Sequence, residues 1–297
     1  MMPSLAGRRV LLTRSPDRAG AMARALADAG AEPLLLPVID FERAADQQAL
    51  AAALDRLAAG EYGWLVFSSI TTVRALKEAA SARGASLPEL VPAGTRIATI
   101  GPSSRRVLEA EGLRVDLVPT GKQSAEGLVE LWAYADDAGA SGGDGAGIVR
   151  VLIPQSSLAA PTLSEGLEAR GWAVDTVTAY RTVDYPADPA QRLVAPLAAG
   201  EPEGQAAPAV VLDPDAANAE LAEGRLDAVV AASPSAARRI HDVLAPLEGT
   251  RLVAIGEPTA AELERLGIPA AAIAATPTPE GIVDAVASSL TVPKETP

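Results

Sequence analysis

The sequence contains no cysteine. That excludes a disulfide, a thiolate nucleophile, an Fe–S cluster and a thiolate zinc site, and it permits a reducing compartment. Histidine occurs once, as His241 in RRIHDVL, which removes most imidazole metal chemistry and reads as a helical histidine beside Asp242 rather than a ligand. No metal is expected. Basic residues are outnumbered, 25 Lys and Arg against 38 Asp and Glu, for a net charge of −13. Affinity for nucleic acid or an anionic membrane comes mainly from clustered Lys and Arg, so neither is expected as a partner. No stretch approaches the ~18 consecutive apolar residues of a membrane span, and the first apolar run is broken at Thr13-Arg14. The expectation is a soluble, cytoplasmic protein.

What is present is enough for two cores. The chain has 297 residues, 48% of them hydrophobic, a globular composition at a length that suits two domains. Short β-branched runs alternate with helix-patterned segments almost from end to end. Strands are expected at 8–13, 32–39, 62–68, 95–100, 113–118, 148–154, 172–183, 226–232, 250–255 and 270–275. Between them, Leu50, Leu54 and Leu57 recur at helical spacing. Continuous apolar strands separated by helices indicate parallel sheets covered on both faces. The fold class is α/β. The segments 135–147 and 200–210 lack periodicity and read as surface loops.

The chain also repeats itself. IATIGPSSRRVLEAEGL (97–113) matches LVAIGEPTAAELERLGI (252–268), and VPTGKQSAEGLVELW (118–132) matches AATPTPEGIVDAV (274–286). VFSSITTVRAL (66–76) pairs with VAASPSAARRI (230–240), and RVLLTRS (9–15) with RVLIPQS (150–156). The offset is 155 between Gly101 and Gly256 and 154 between Glu126 and Glu280. Two such offsets indicate duplication of one α/β unit.

In an open parallel sheet, ligands bind beyond the carboxyl ends of the strands. The turns expected there are Arg14-Ser15-Pro16, Ser68-Ser69, Gly101-Pro102-Ser103-Ser104, Gln155-Ser156-Ser157, Ser233-Pro234-Ser235 and Gly256-Glu257-Pro258-Thr259. Ser followed by Pro supplies a capping hydroxyl and a φ preset for the first helical residue. Such starts are ordinary caps when taken singly. Repeated along one edge, they make six anion-receptive positions. No strand is followed by GxGxxG or GxxxxGK[ST], and GxSxG is absent, so no dinucleotide site, P-loop or serine hydrolase is indicated. Tyr180 stands out in a chain only 3% aromatic. Its phenol suits a hydrogen-bond donor or general acid, and equally a strand residue held for packing.

The ordered set VLLTR, YGWLVFSSITTV, IATIGPSS, LIPQSS, TAYRTV, VVAASPSA and VAIGEPTA resembles the uroporphyrinogen-III synthase family over nearly the whole chain. The resemblance implies two flavodoxin-like parallel-sheet lobes joined by a two-stranded β linker. One lobe would take 1–37 and 184–297, the other 42–176, with 38–41 and 177–183 as the linker strands. It implies a cyclising lyase of tetrapyrrole and haem biosynthesis that needs no cofactor. Hydroxymethylbilane closes to uroporphyrinogen III with inversion of ring D and loss of water, through a spiro intermediate. The implied catalytic residue is Tyr180. Substrate-binding positions are Ser69, Ser104, Ser233 and Thr259, with Ser68, Arg14 and Ser235 added from position. A monomer with at most transient contact to the upstream deaminase is expected. The residues alone leave open a non-catalytic protein of the same fold that binds an anionic small molecule or a regulatory partner.

Overall fold

The computed structural model describes residues 5–139, 150–198 and 209–291. Its strands are β1 (Arg9–Leu12), β2 (Glu32–Leu35), β3 (Ile39–Arg43), β4 (Trp64–Phe67), β5 (Arg96–Thr99), β6 (Arg150–Ser156), β7 (Ala173–Asp184), β8 (Val210–Val211), β9 (Ala228–Ala231), β10 (Arg251–Ala254) and β11 (Ala272–Ile273). The helices are α1 (Pro16–Asp28), α2 (Gln47–Ala58), α3 (Ile70–Ser81), α4 (Leu87–Leu90), α5 (Pro102–Ala110), α6 (Ala125–Gly139), α7 (Thr162–Glu168), α8 (Pro214–Ala222), α9 (Pro234–Val243), α10 (Glu257–Arg265) and α11 (Pro279–Thr291).

These elements form two compact units. Residues 5–40, 184–186 and 209–291 make the terminal unit, and 41–139, 150–183 and 187–198 the central unit. The chain passes between them within β3, after Asp40, and at the end of β7, after Val183. Residues 187–198, expected with the terminal lobe, pack with the central unit instead. Leu193 enters that unit's core, the Glu78 carboxylate accepts from the Val194 and Ala195 backbone N–H groups, and Arg74 donates to the Ala195 carbonyl.

The terminal sheet runs β11-β10-β9-β1-β2-β8 and is parallel at every neighbour. Without β8, the chain order across it is the doubly wound 2-1-3-4-5. The central sheet runs β3-β7-β6-β4-β5, parallel from β7 to β5, and Leu117 bridges to Ala98 beyond β5. Counted from β6, it follows the same order after circular permutation. Each unit is therefore a flavodoxin-like sheet with one added edge strand.

Alternating strand side chains build a core on each face. In the terminal unit, Val10, Leu12 and Val230 pack under α1 and α11, while Leu11, Val229 and Leu252 pack under α8, α9 and α10. In the central unit, Leu65, Phe67 and Leu152 meet α2, α3, α4 and α5, whereas Trp64, Val66 and Val151 meet α6 and α7. Leu50, Leu54 and Leu57 are the buried face of α2. Full burial of one such leucine is worth about 1.5–3 kcal/mol.

The duplication is visible in atomic detail. Gly127 and Gly281 open α6 and α11, and a Cβ on either would strike the carbonyl oxygen five residues earlier, that of Lys122 or of Thr276. Ser124 Oγ and Thr278 Oγ1 accept from the Gly127 and Gly281 N–H groups at 3.3 and 3.2 Å. All three pairs share the offset of 154 seen in the sequence.

Several expected elements differ. Residues 113–118 form only the Leu117 bridge, and 270–275 shorten to the two-residue β11. Residues 135–139 continue α6 rather than beginning a loop, and Val210, at the end of the expected 200–210 loop, pairs with Leu34 as an edge strand. Residues 140–147 and 200–208 of these expected loops lie outside the described residues. Among the described residues, no helix is long and apolar enough to cross a membrane.

Candidate functional site

Tyr180 lies on β7 opposite Ser156, where a bulge at Gln155/Ser156 shifts the register with β6. The Ser157 N–H donates to the Tyr180 carbonyl at 2.9 Å, and Ser156 Oγ lies 3.1 Å from Thr182 Oγ1. The Tyr180 ring is buried against Phe41, edge to face at 5.6 Å. Its hydroxyl ends 3.0 Å from Ser69 Oγ. Ser69 is the N-cap of α3 because its extended backbone leaves Oγ aimed at the first turn, where it accepts from the Thr72 N–H at 3.0 Å. Thr72 Oγ1 is a further 3.1 Å contact. A phenol, a capping hydroxyl and a helix start thus converge beyond the carboxyl ends of β4 and β6, the point at which strand order reverses.

The other expected residues occupy corresponding edges. Half-buried Ser68 follows β4 beside Ser69. Ser104 and Thr259 stand at the third position of α5 and α10, whose N-caps are Gly101 and Gly256. Both are buried, unlike half-buried Ser69, Ser233 and Ser235. Ser233 caps α9 by accepting from the Ala236 N–H at 3.0 Å. Half-buried Arg14 follows β1, the strand adjacent to β9. Tyr180, Ser68, Ser69 and Ser104 therefore belong to the central unit, and Arg14, Ser233, Ser235 and Thr259 to the terminal unit.

Two expectations about these turns require correction. Ser15 is the N-cap of α1 but makes no side-chain cap bond. The turn 155–157 does not open a helix directly, because α7 begins only at Thr162, after Pro161. Five helix starts, rather than six, immediately follow strands at these positions.

Two buried threonines were not singled out from the sequence. Thr13 Oγ1 donates to Val230 O at 2.8 Å and accepts from the Ala232 N–H at 3.3 Å, tying the end of β1 to the turn that carries Ser233. Thr99 Oγ1 donates to Phe67 O at 2.8 Å, fixing the end of β4 just before Ser68. Their strand positions resembled ordinary β-branched residues, so only the cross-strand geometry reveals them.

Two charged clusters lie in the central unit. At the amino ends of β4, β6 and β7, the Tyr62 hydroxyl donates to Asp175 at 2.8 Å, and Arg56 and Arg150 approach the same carboxylate at 2.9 and 3.4 Å. Burial, reinforced by the Asp175 hydrogen bond, pushes the Tyr62 phenol up to about 12. Burial acts to raise Asp175, but Tyr62, Arg150 and Arg56 together hold it below its usual range. Where the chain enters the central unit, Glu42 accepts from the Asp188 N–H at 2.9 Å and pairs with Arg181. Those two contacts lower its pKa. Among the described residues, no group of three or more His, Asp or Glu could hold a metal ion.

Comparison with known proteins gives one consistent family. The family model described as uroporphyrinogen-III synthase HemD matches residues 20–284. A Methanothermobacter thermautotrophicus protein whose name includes uroporphyrinogen-III synthase is 26% identical over 87% of this chain and 90% of its own length. A crystal structure of a mutant uroporphyrinogen III synthase from the extremely thermophilic bacterium Thermus thermophilus is 18% identical, covers 95% of this chain and 98% of its own, and superposes with a TM-score of 0.61. A uroporphyrinogen-III synthetase from Helicobacter pylori is 15% identical, covers 93% and 97%, and gives 0.54. At those identities the two structures establish a shared fold.

Proposed function

The chain belongs to the uroporphyrinogen-III synthase family, a family of cyclising lyases in tetrapyrrole biosynthesis, and we propose that Tyr180 serves as its general acid. Hydroxymethylbilane is the substrate the family implies. Protonation of its terminal hydroxyl by the Tyr180 phenol lets water leave with the electron pair of the breaking C–O bond. The carbon left behind is a cation conjugated with its pyrrole. Attack on it by ring D through a spiro intermediate, followed by reopening, joins the ring in the inverted sense. The joining pyrrole carbon gives up one proton, which restores the phenol. Only water is lost overall and no electrons are exchanged.

Uncatalysed closure gives the unturned isomer I, so the protein's contribution is chiefly geometric. The substrate carries eight carboxylates, which suit backbone N–H groups at helix starts and need no dense array of basic residues. The backbone N–H groups of the turns at Ser68-Ser69 on the central unit and Ser233-Pro234-Ser235 on the terminal unit, together with the Arg14 guanidinium, are the proposed contacts. Ser104 and Thr259, at the third positions of α5 and α10, complete the proposed substrate-binding set. We read the protein as a cytoplasmic monomer that meets the upstream deaminase only transiently, if at all.

The observation that carries the acid assignment is the phenol of Tyr180 set 3.0 Å from Ser69 Oγ at the strand-order switch. Tyr180→Phe removes one oxygen and leaves the ring packing. A general acid contributes about 10²–10⁴-fold, so isomer III formation should slow by that order while unfolding midpoints change little. A Phe variant that forms isomer III at the parent rate removes Tyr180 from the chemistry.

A further inference from the structure

We propose that Ser69 is a positioning residue that donates its hydroxyl hydrogen to the Tyr180 oxygen and stabilises the phenolate formed in the acid step. The inference deepens the reading of Tyr180 as the acid and rests on it. Capping by Ser69 consumes one lone pair of Oγ, which accepts from the Thr72 N–H. Its hydrogen takes no part in that cap. A serine can therefore cap α3 and donate to the phenol at the same time.

The choice of cap along the chain fits this role. α2 and α8 are capped by Asp46 and Asp213, each accepting a backbone N–H, and a carboxylate has no hydrogen to donate. The cap facing Tyr180 is a hydroxyl. Ser233 occupies the matching position in the repeat, with Ala236 where the central unit has Thr72. The hydroxyl trio of Ser69, Thr72 and Tyr180 is thus a feature of one copy and not a general requirement of the turn. The first turn of the twelve-residue α3 adds its positive end beside the same oxygen. When Tyr180 transfers its proton to the departing hydroxyl, negative charge appears on an oxygen already 3.0 Å from a donor. The donor is then in place without reorganisation.

Substitutions separate this role from capping. Ser69→Gly deletes the hydroxyl, yet glycine is a fair N-cap and the helix loses little. Ser69→Thr keeps both the cap and the donor. Isomer III formation is measured across pH for these variants, for Tyr180→Phe and for the Ser69→Gly/Tyr180→Phe double variant, with urea unfolding followed alongside.

The expected result for Ser69→Gly is a kcat at least about tenfold lower, with KM changed much less. Its alkaline limb moves to higher pH because the phenolate is less stabilised. Ser69→Thr recovers most of the rate, and Ser69→Gly adds no further loss in the Tyr180→Phe background. A Ser69→Gly protein with parent kcat and an unshifted alkaline limb overturns the proposal while a slow Tyr180→Phe protein leaves the acid assignment standing. A fully active Tyr180→Phe protein overturns the acid assignment itself, and the positioning role with it.

Discussion

Tyr62→Phe should weaken the central unit without slowing the reaction, because the Tyr62 cluster lies at the amino end of the sheet, away from Tyr180. A hydrogen bond to a charged acceptor contributes about 1.5–3 kcal/mol. Asp175 retains Arg56 at 2.9 Å and Arg150 at 3.4 Å, and its side chain is 27% exposed. The loss therefore falls at the low end, about 1.5 kcal/mol near neutral pH. The pH dependence supplies a second, sharper signature. The folded phenol ionises at about 12 and the unfolded one near its ordinary value of 10. A group raised in the folded state contributes stability that is fully present below pH 10 and lost as pH rises toward 12. The stability difference between parent and variant should accordingly stay constant below about pH 9 and shrink above 10. Urea unfolding by tryptophan fluorescence reads this unit selectively. All three tryptophans of the sequence are in it, with ring centroids 4.7 Å apart for Trp64–Trp132 and 5.9 Å for Trp132–Trp172. A difference that is absent at neutral pH, or that grows above pH 10, refutes the reasoning.

Two further outcomes follow from the repeats and the ion pairs. Glu262 accepts from Arg265 and Arg238, which hold its carboxyl at about 2. A depressed carboxylate contributes stability above its ordinary value of 4.5 that disappears as pH falls to about 2. Glu262→Gln should therefore lower stability most above pH 4.5, and a destabilisation that persists unchanged to pH 2 contradicts the assignment. Gly127→Ala and Gly281→Ala should each destabilise by about 1–3 kcal/mol or more, since the new Cβ meets a backbone carbonyl. Far-UV circular dichroism melts test both. Gly127→Ala should also shift the tryptophan transition, because Trp132 shares α6; parent-like melts for either variant reject the proposed close approach.

Much of the fold was legible because its strongest signals are local. Apolar runs such as Trp64–Phe67 are buried on both faces, so a parallel strand leaves an uninterrupted hydrophobic stretch. The paired turns near Gly101 and Gly256 exposed the duplication for the same reason. What escaped depended on distant partners. Val210–Val211 becomes a strand only because Leu34 and Leu35 offer an open edge, and residues 187–198 join the central unit through contacts to Glu42, Glu78 and Arg74. At the site, Ser69 and Tyr180 were each visible as a residue type at a strand end, but their hydrogen bond spans 111 residues of chain. The clips at Thr13 and Thr99 left no pattern in sequence at all.

Product analysis tests the central claim most directly. Hydroxymethylbilane generated in situ by a deaminase is given to the protein, the products are oxidised, and isomers I and III are separated by chromatography. Membership in the family and the proposed acid chemistry predict predominantly isomer III, in a proportion that rises with protein concentration. Isomer I alone, at every protein concentration, would contradict the account.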